Sequence, residues 1–151
     1  VPMIPDELYQ RAERMRRNRG RFTARAREQL ARARERAGSL PGGIGSISGG
    51  TGGIPQSRTE RAALAVIRAE KGLERALKWE KVFRALDLIY PPESDEGLIA
   101  ADLYDHGMSQ EQICRKLGTD RQTVRRRRDR YIYRLILLAA AAGLVTINDI
   151  K

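Results

Sequence analysis

The sequence holds one cysteine, Cys114, and one histidine, His106. A lone thiol cannot close a disulfide within the chain and fits a reducing compartment. One Cys and one His also fall short of the four ligands of a structural zinc site, so no metal or other cofactor is expected. Aromatic residues make up only 5% of the chain and much of the apolar complement is alanine, which points to a thin, helical core. Long hydrophobic runs are missing: the longest, Leu135 to Val145, has 11 residues, against the ~20 that cross a bilayer. The opening Val-Pro-Met-Ile-Pro-Asp lacks a basic-then-apolar leader pattern. The expectation is a soluble, cytoplasmic, all-α protein with no membrane partner.

What the sequence has in quantity is positive charge. Lys and Arg number 29 against 19 acids, for a net charge of +10 and a pI near 10.4. Such a balance predicts attraction to a polyanion. The charge is segregated: residues 1–38 and 107–134 are strongly basic, 39–57 carry no charge, and 93–106 contain acids but no base. This division gives the expected organisation: a basic helical arm over 1–38, a linker over 39–57, a helical segment over 58–92, a DNA-binding domain over 93–145 and a tail over 146–151.

In the arm, Asp6 follows Pro5 and is placed to cap one long helix running to Ala37. Leu8, Ala12, Met15, Phe22, Ala26, Leu30, Ala33 and Ala37 fall at spacings of mostly three or four, the seam of a candidate coiled coil, interrupted by Arg19 and weakened at Gly20. A solvated arm and a dimerising or DNA-contacting one both fit that pattern. The uncharged stretch 39–57 is rich in Gly and Ser and reads as a flexible linker. It has no Gly-Lys-Ser/Thr, which excludes a phosphate-cradling loop. Over 58–92, Leu64, Ile67, Leu73, Leu77, Phe83 and Leu86 form a helical stripe supported by Val66, Val82 and Ile89, with Gly72 as a candidate bend. Trp79 is expected to pack on the C-terminal domain, and Pro91-Pro92 to end the helix.

Local grammar is densest after the prolines. Leu98, Ile99, Ala101, Leu103 and Tyr104 predict a short helix closed by Gly107. Ser109 caps the next helix, with Gln112 completing a capping box. Gly118 breaks that helix, and Thr119 with Gln122 predicts a second capping box opening a third. Two capped helices across a glycine turn are the sequence form of a helix-turn-helix. A small residue at the helix crossing (Cys114), the turn Gly118 and the β-branched Val124 strengthen the assignment by their offsets.

The third helix carries the chemistry. Asp120, Arg121, Gln122, Arg125 and Arg126 are the candidate readers of base edges, since Arg grips guanine and Gln pairs with adenine in the major groove. Ser109, Arg115, Lys116, Thr119, Thr123, Arg128 and Arg130 are the candidate contacts to the DNA backbone. The run Arg125–Arg128 points in every helix direction, so its members cannot all read bases. A charged, solvated helix face is the bland alternative, and the capping and spacing weigh against it. The apolar continuation from Tyr131 onward must pack on the 59–90 helix or on a second subunit, and a homodimer would multiply specificity. Asp95/Glu96 and Asp102/Asp105 read as helix-start and surface charges and His106 as a turn residue. No catalytic cluster and no small-molecule site emerge, so no enzyme activity is expected.

The segment from Met108 through Arg126, followed by the ending Ala-Ala-Gly-Leu-Val, resembles phage late-gene transcription regulators of the RinA/ArpU-like group, whose reader is similar to region four of sigma factors. The resemblance covers roughly residues 58–145. It implies a phage or prophage regulator acting in a bacterial host cell, binding promoter DNA and contacting RNA polymerase. Arg127 departs from the pattern, which has an apolar residue seating the reader there. A small terminase subunit for DNA packaging is a rival that would assemble into a ring. A basic-arm adaptor for RNA or protein is a second rival, which competition between duplex and single strands would separate.

Overall fold

The computed structural model describes residues 4–39 and 57–146, so the expected linker, apart from its two end residues, and most of the tail lie outside the described residues. All regular structure among the described residues is helical: α1 (Asp6–Arg17), α2 (Arg21–Gly38), α3 (Arg58–Ile89), α4 (Asp95–Ala100), a π-helical turn (Ala101–Asp105), α5 (Gln110–Leu117) and α6 (Arg121–Ala141). The all-α expectation holds.

The single N-terminal helix does not. It is two helices, because Gly20 takes φ +83°, a left-handed conformation no helix can pass through. Asp6 is not the cap either: Pro5 holds that position, and Asp6 and Glu7 favour the helix start by charge alone. Gly72 does not divide the segment: α3 runs unbroken for 32 residues. One glycine costs a helix about 1 kcal/mol relative to alanine, too little to interrupt about nine turns. The Ser57 hydroxyl accepts from the Glu60 amide at the start of α3, and Pro91 follows its end.

The chain divides into two compact units, each described by itself. One comprises residues 20–77, α2 with the first part of α3. Thr23, Ala26, Leu30 and Ala37 are its buried side of α2 and Ala76 is buried on α3, while Arg34 and Glu70 approach to 3.7 Å. Ile67, expected in the core stripe, is 47% exposed.

The other unit joins the residues up to Arg19 with those from Lys78 onward. Its core is formed by Leu8 and Ala12 of α1, Trp79, Val82, Phe83 and Leu86 of α3, and Tyr131, Ile132, Leu135, Ile136 and Ala139 of α6. The seam residues of α1 are therefore used within the chain. Trp79 packs as expected, 6.0 Å from Phe83 ring to ring. Ile89, assigned to the stripe, is instead 42% exposed.

One charged side chain lies inside this core. Arg16, 5% exposed, donates from Nε to the Tyr131 hydroxyl (2.8 Å) and from both terminal nitrogens to Asp105 (2.7 and 2.9 Å). Its guanidinium also lies 5.8 and 5.9 Å from the Tyr104 and Tyr131 ring centres. Two further tyrosines tie α1 down: Tyr104 donates to Glu13 (2.8 Å) and Tyr9 to Asp129 (2.6 Å). Burial, reinforced by these carboxylate acceptors, pushes both phenols well above their ordinary value, which keeps them neutral donors.

Candidate nucleic-acid interface

Three residues set the positions of the last helices. Ile99 of α4, Ile113 of α5 and Val124 of α6 are each fully buried and form one cluster, with Leu103, Met108, Cys114 and Leu117 around it. The small Cys114 and the β-branched Val124 thus sit where the spacing placed them.

The connections follow from capping. Gly107, at φ +63°, ends the π-helical turn, and the Met108 amide reaches back to the Asp102 carbonyl. Ser109 opens α5 with the full capping box: its hydroxyl accepts from the Gln112 amide and the Gln112 side chain accepts from the Ser109 amide. Gly118, at φ +61°, closes α5. The second capping box is a correction. Asp120 is the cap of α6, its carboxylate accepting the Thr123 amide at 2.6 Å. The Thr119 amide, which the box would direct to Gln122, is instead bonded to the Cys114 carbonyl and completes the end of α5. Hydrogen bonds from Thr123, the side chain's first and the amide's second, hold the Asp120 carboxyl below its ordinary value.

The arginine run sorts by direction. Arg121, Gln122, Arg125 and Arg126 are all exposed and share one side of α6 at the helical repeat. Arg127 turns back to Asp95 at the start of α4, 3.3 Å away. The departure from an apolar residue at 127 is thus met by an ion pair that seats α6 on α4. Arg128 is largely covered, lying 5.7 Å over the Tyr9 ring and beside Asp129. Arg130 lies 3.8 Å from Glu96, and Arg121 pairs with Glu111 of α5. Among the backbone candidates, Arg115 is exposed, Thr119 and Thr123 are half-buried, and the Ser109 hydroxyl caps α5.

Lys116, a candidate phosphate contact, also has a partner within the chain. Its Nζ sits 3.0 Å from both oxygens of Asp102, a residue read as a surface charge that is only 2% exposed. His106 approaches the same carboxylate at 3.2 Å. This group fixes α5 to the π-helical turn. Lys116→Ala should therefore cost about 3 kcal/mol of stability, the usual penalty for leaving a buried charge without its main partner. Chemical denaturation would check it. A variant of unchanged stability that only binds DNA more weakly would make Lys116 a phosphate contact instead.

Sequence reasoning named the basic residues of this face and missed the acids that orient it. Glu111, Asp95 and Glu96 each face a base on α6, and the signal lay in the acidic strip preceding a basic helix.

The arrangement is a helix-turn-helix: α5, a tight turn at Gly118, and α6 presented by its amino-terminal half. Residues 96–144 match the family model described as a homeodomain-like domain. This segment is a homeodomain-like helix-turn-helix. A domain of this type suggests DNA binding, and the helix after its turn is α6. Neither the curated proteins nor the solved structures gave a match to the chain. Among the described residues, no cluster of His, Cys, Asp or Glu could hold a metal, and no helix is long and apolar enough to cross a membrane.

Proposed function

We propose that this chain is a sequence-specific, double-stranded DNA-binding regulator of transcription that performs no catalysis. The observation that carries the reading is the sorting of the α6 arginines. Arg127 and Arg128 are half-buried against Asp95 and Tyr9, while Arg121 (paired with Glu111 at the surface), Gln122, Arg125 and Arg126 stand exposed on one side of the first turns. In a major groove these four meet base edges, Arg on guanine and Gln on adenine. Asp120 sits at their edge as the cap of the helix. Ser109, Arg115, Thr119 and Thr123 flank this face as the phosphate contacts that fix its register. Arg128, covered by Tyr9, acts as a support, while the exposed Arg130 stays among the phosphate contacts.

The resemblance of the 108–126 segment to late-gene regulators gives this reading its biological setting, a phage or prophage promoter and a host RNA polymerase. One reader of this size offers few base contacts, so two copies on paired half-sites would supply the remaining specificity.

The test is selection of random duplex DNA on the full chain at near-physiological salt, where nonspecific phosphate binding is suppressed. A defined motif, in two spaced halves for a dimer, is the expected result. Measurable duplex binding with no enriched sequence would overturn the regulator in favour of packaging or an architectural role.

A further inference from the structure

The unit of residues 20–77 carries a groove that the helix-turn-helix does not use. It lies between α2 and the first turns of α3, holds about 650 Å³, and is lined by five arginines: Arg32, Arg36, Arg58, Arg61 and Arg68. Its remaining lining is Gln29 and four alanines, with no carboxylate. Every lining cation is Arg, whose planar fork matches phosphate oxygens. The alanine methyls leave the helix faces low between the guanidinium rows.

We infer that this groove is a second phosphate-binding surface, gripping the backbone of duplex DNA without regard to sequence. Charge complementarity identifies the occupant. Arg58, Arg61 and Arg68 extend over about 15 Å of helix axis at 1.5 Å per residue, a length over which one DNA strand presents about four phosphates. The lining itself holds no acid and no large apolar side chain, although Arg32 is also bonded to Glu28 of its own helix at 2.6 Å, so the groove has little to offer an apolar ligand and its guanidiniums match phosphate oxygens. The inference rests on the proposed function only in taking duplex DNA as the ligand, since the helix-turn-helix supplies the sequence preference and the groove adds affinity common to all sequences.

The experiment measures binding of the full chain to a duplex of random sequence across a salt series. Arg36→Gln, Arg58→Gln and Arg68→Gln are combined in one variant; all three residues are exposed, so the fold is retained, which circular dichroism verifies. A control carries Arg27→Gln, Lys71→Gln and Arg84→Gln, which remove the same charge from exposed positions off the groove lining. Each lost phosphate contact lowers the slope of log affinity against log salt by about 0.9. The groove variant is expected to lose about 2 to 3 from that slope and the control less than 1, with the selected motif unchanged in both. An unaltered slope in the groove variant, or an equal fall in the control, overturns the inference. So does loss of polyglutamate binding with the duplex slope intact, which would assign the groove to an acidic protein. Failure of the α6 reading is visible separately, as a sequence preference that survives loss of Arg125 and Arg126.

Discussion

Arg125→Ala combined with Arg126→Ala should weaken binding to the selected site by roughly a hundredfold or more, at about 1–3 kcal/mol for each lost base contact. Both side chains are exposed, so the melting temperature should stay within a few degrees of the parent. Affinity for random duplex should fall far less than affinity for the site, because the remaining phosphate contacts are kept. Titrations on both DNAs separate the outcomes. An equal loss on the two would make these arginines phosphate contacts, and no loss on either would move the reading face away from α6.

The second large effect concerns stability. Arg16→Ala should destabilise the fold by about 3 kcal/mol, through loss of the buried guanidinium's hydrogen bonds and packing, since the Asp105 left behind is half-exposed. It strips the Tyr131 hydroxyl and Asp105 of their donor and leaves space between two aromatic rings. Arg19→Ala is the matched comparison three residues away. Arg19 pairs with Asp87 at 2.6 Å, but both side chains are about a third exposed, and such pairs contribute about 1 kcal/mol or less. Urea denaturation of the two variants should show this contrast, and equal losses would remove Arg16 from its place as the keystone of α1. DNA affinity per folded molecule should survive in both.

These two predictions mark where the sequence was legible and where it was not. The helix-turn-helix could be read because its determinants are local. Ser109 and Gln112 lie three residues apart and form the expected box, Gly118 takes the left-handed turn, and Ile113 and Val124 meet at short range. Even there, adjacent capping residues misled: Thr119 and Asp120 are both good caps, and the choice was made by the Thr119 amide closing α5. The N-terminal segment was opaque for a different reason. Its arginines look alike in sequence, and Arg16 rather than Arg19 points inward only because Asp105 and Tyr131, some 90 and 115 positions away, receive it. Nothing local distinguishes an arm that dimerises from one that folds back on its own chain. The division of the arginine run into exposed and covered side chains was likewise set by distant groups, Asp95 and Tyr9.

The bond between Tyr9 and Asp129 joins positions 120 residues apart, inside a single compact unit that excludes residues 20–77. The reader's domain is therefore discontinuous along the chain, and the segment 96–144 that carries the family likeness is only part of it. A fragment with those limits would uncover Tyr104, Tyr131 and Leu135, all buried in the core that α1 and α3 help to form. Cleavage within residues 40–56, by contrast, would break the polypeptide without removing any residue of that core. The nicked protein should keep its helix-turn-helix folded, its first and last segments held together by packing alone. Trimming the chain to its recognisable motif would lose what cutting it in two preserves.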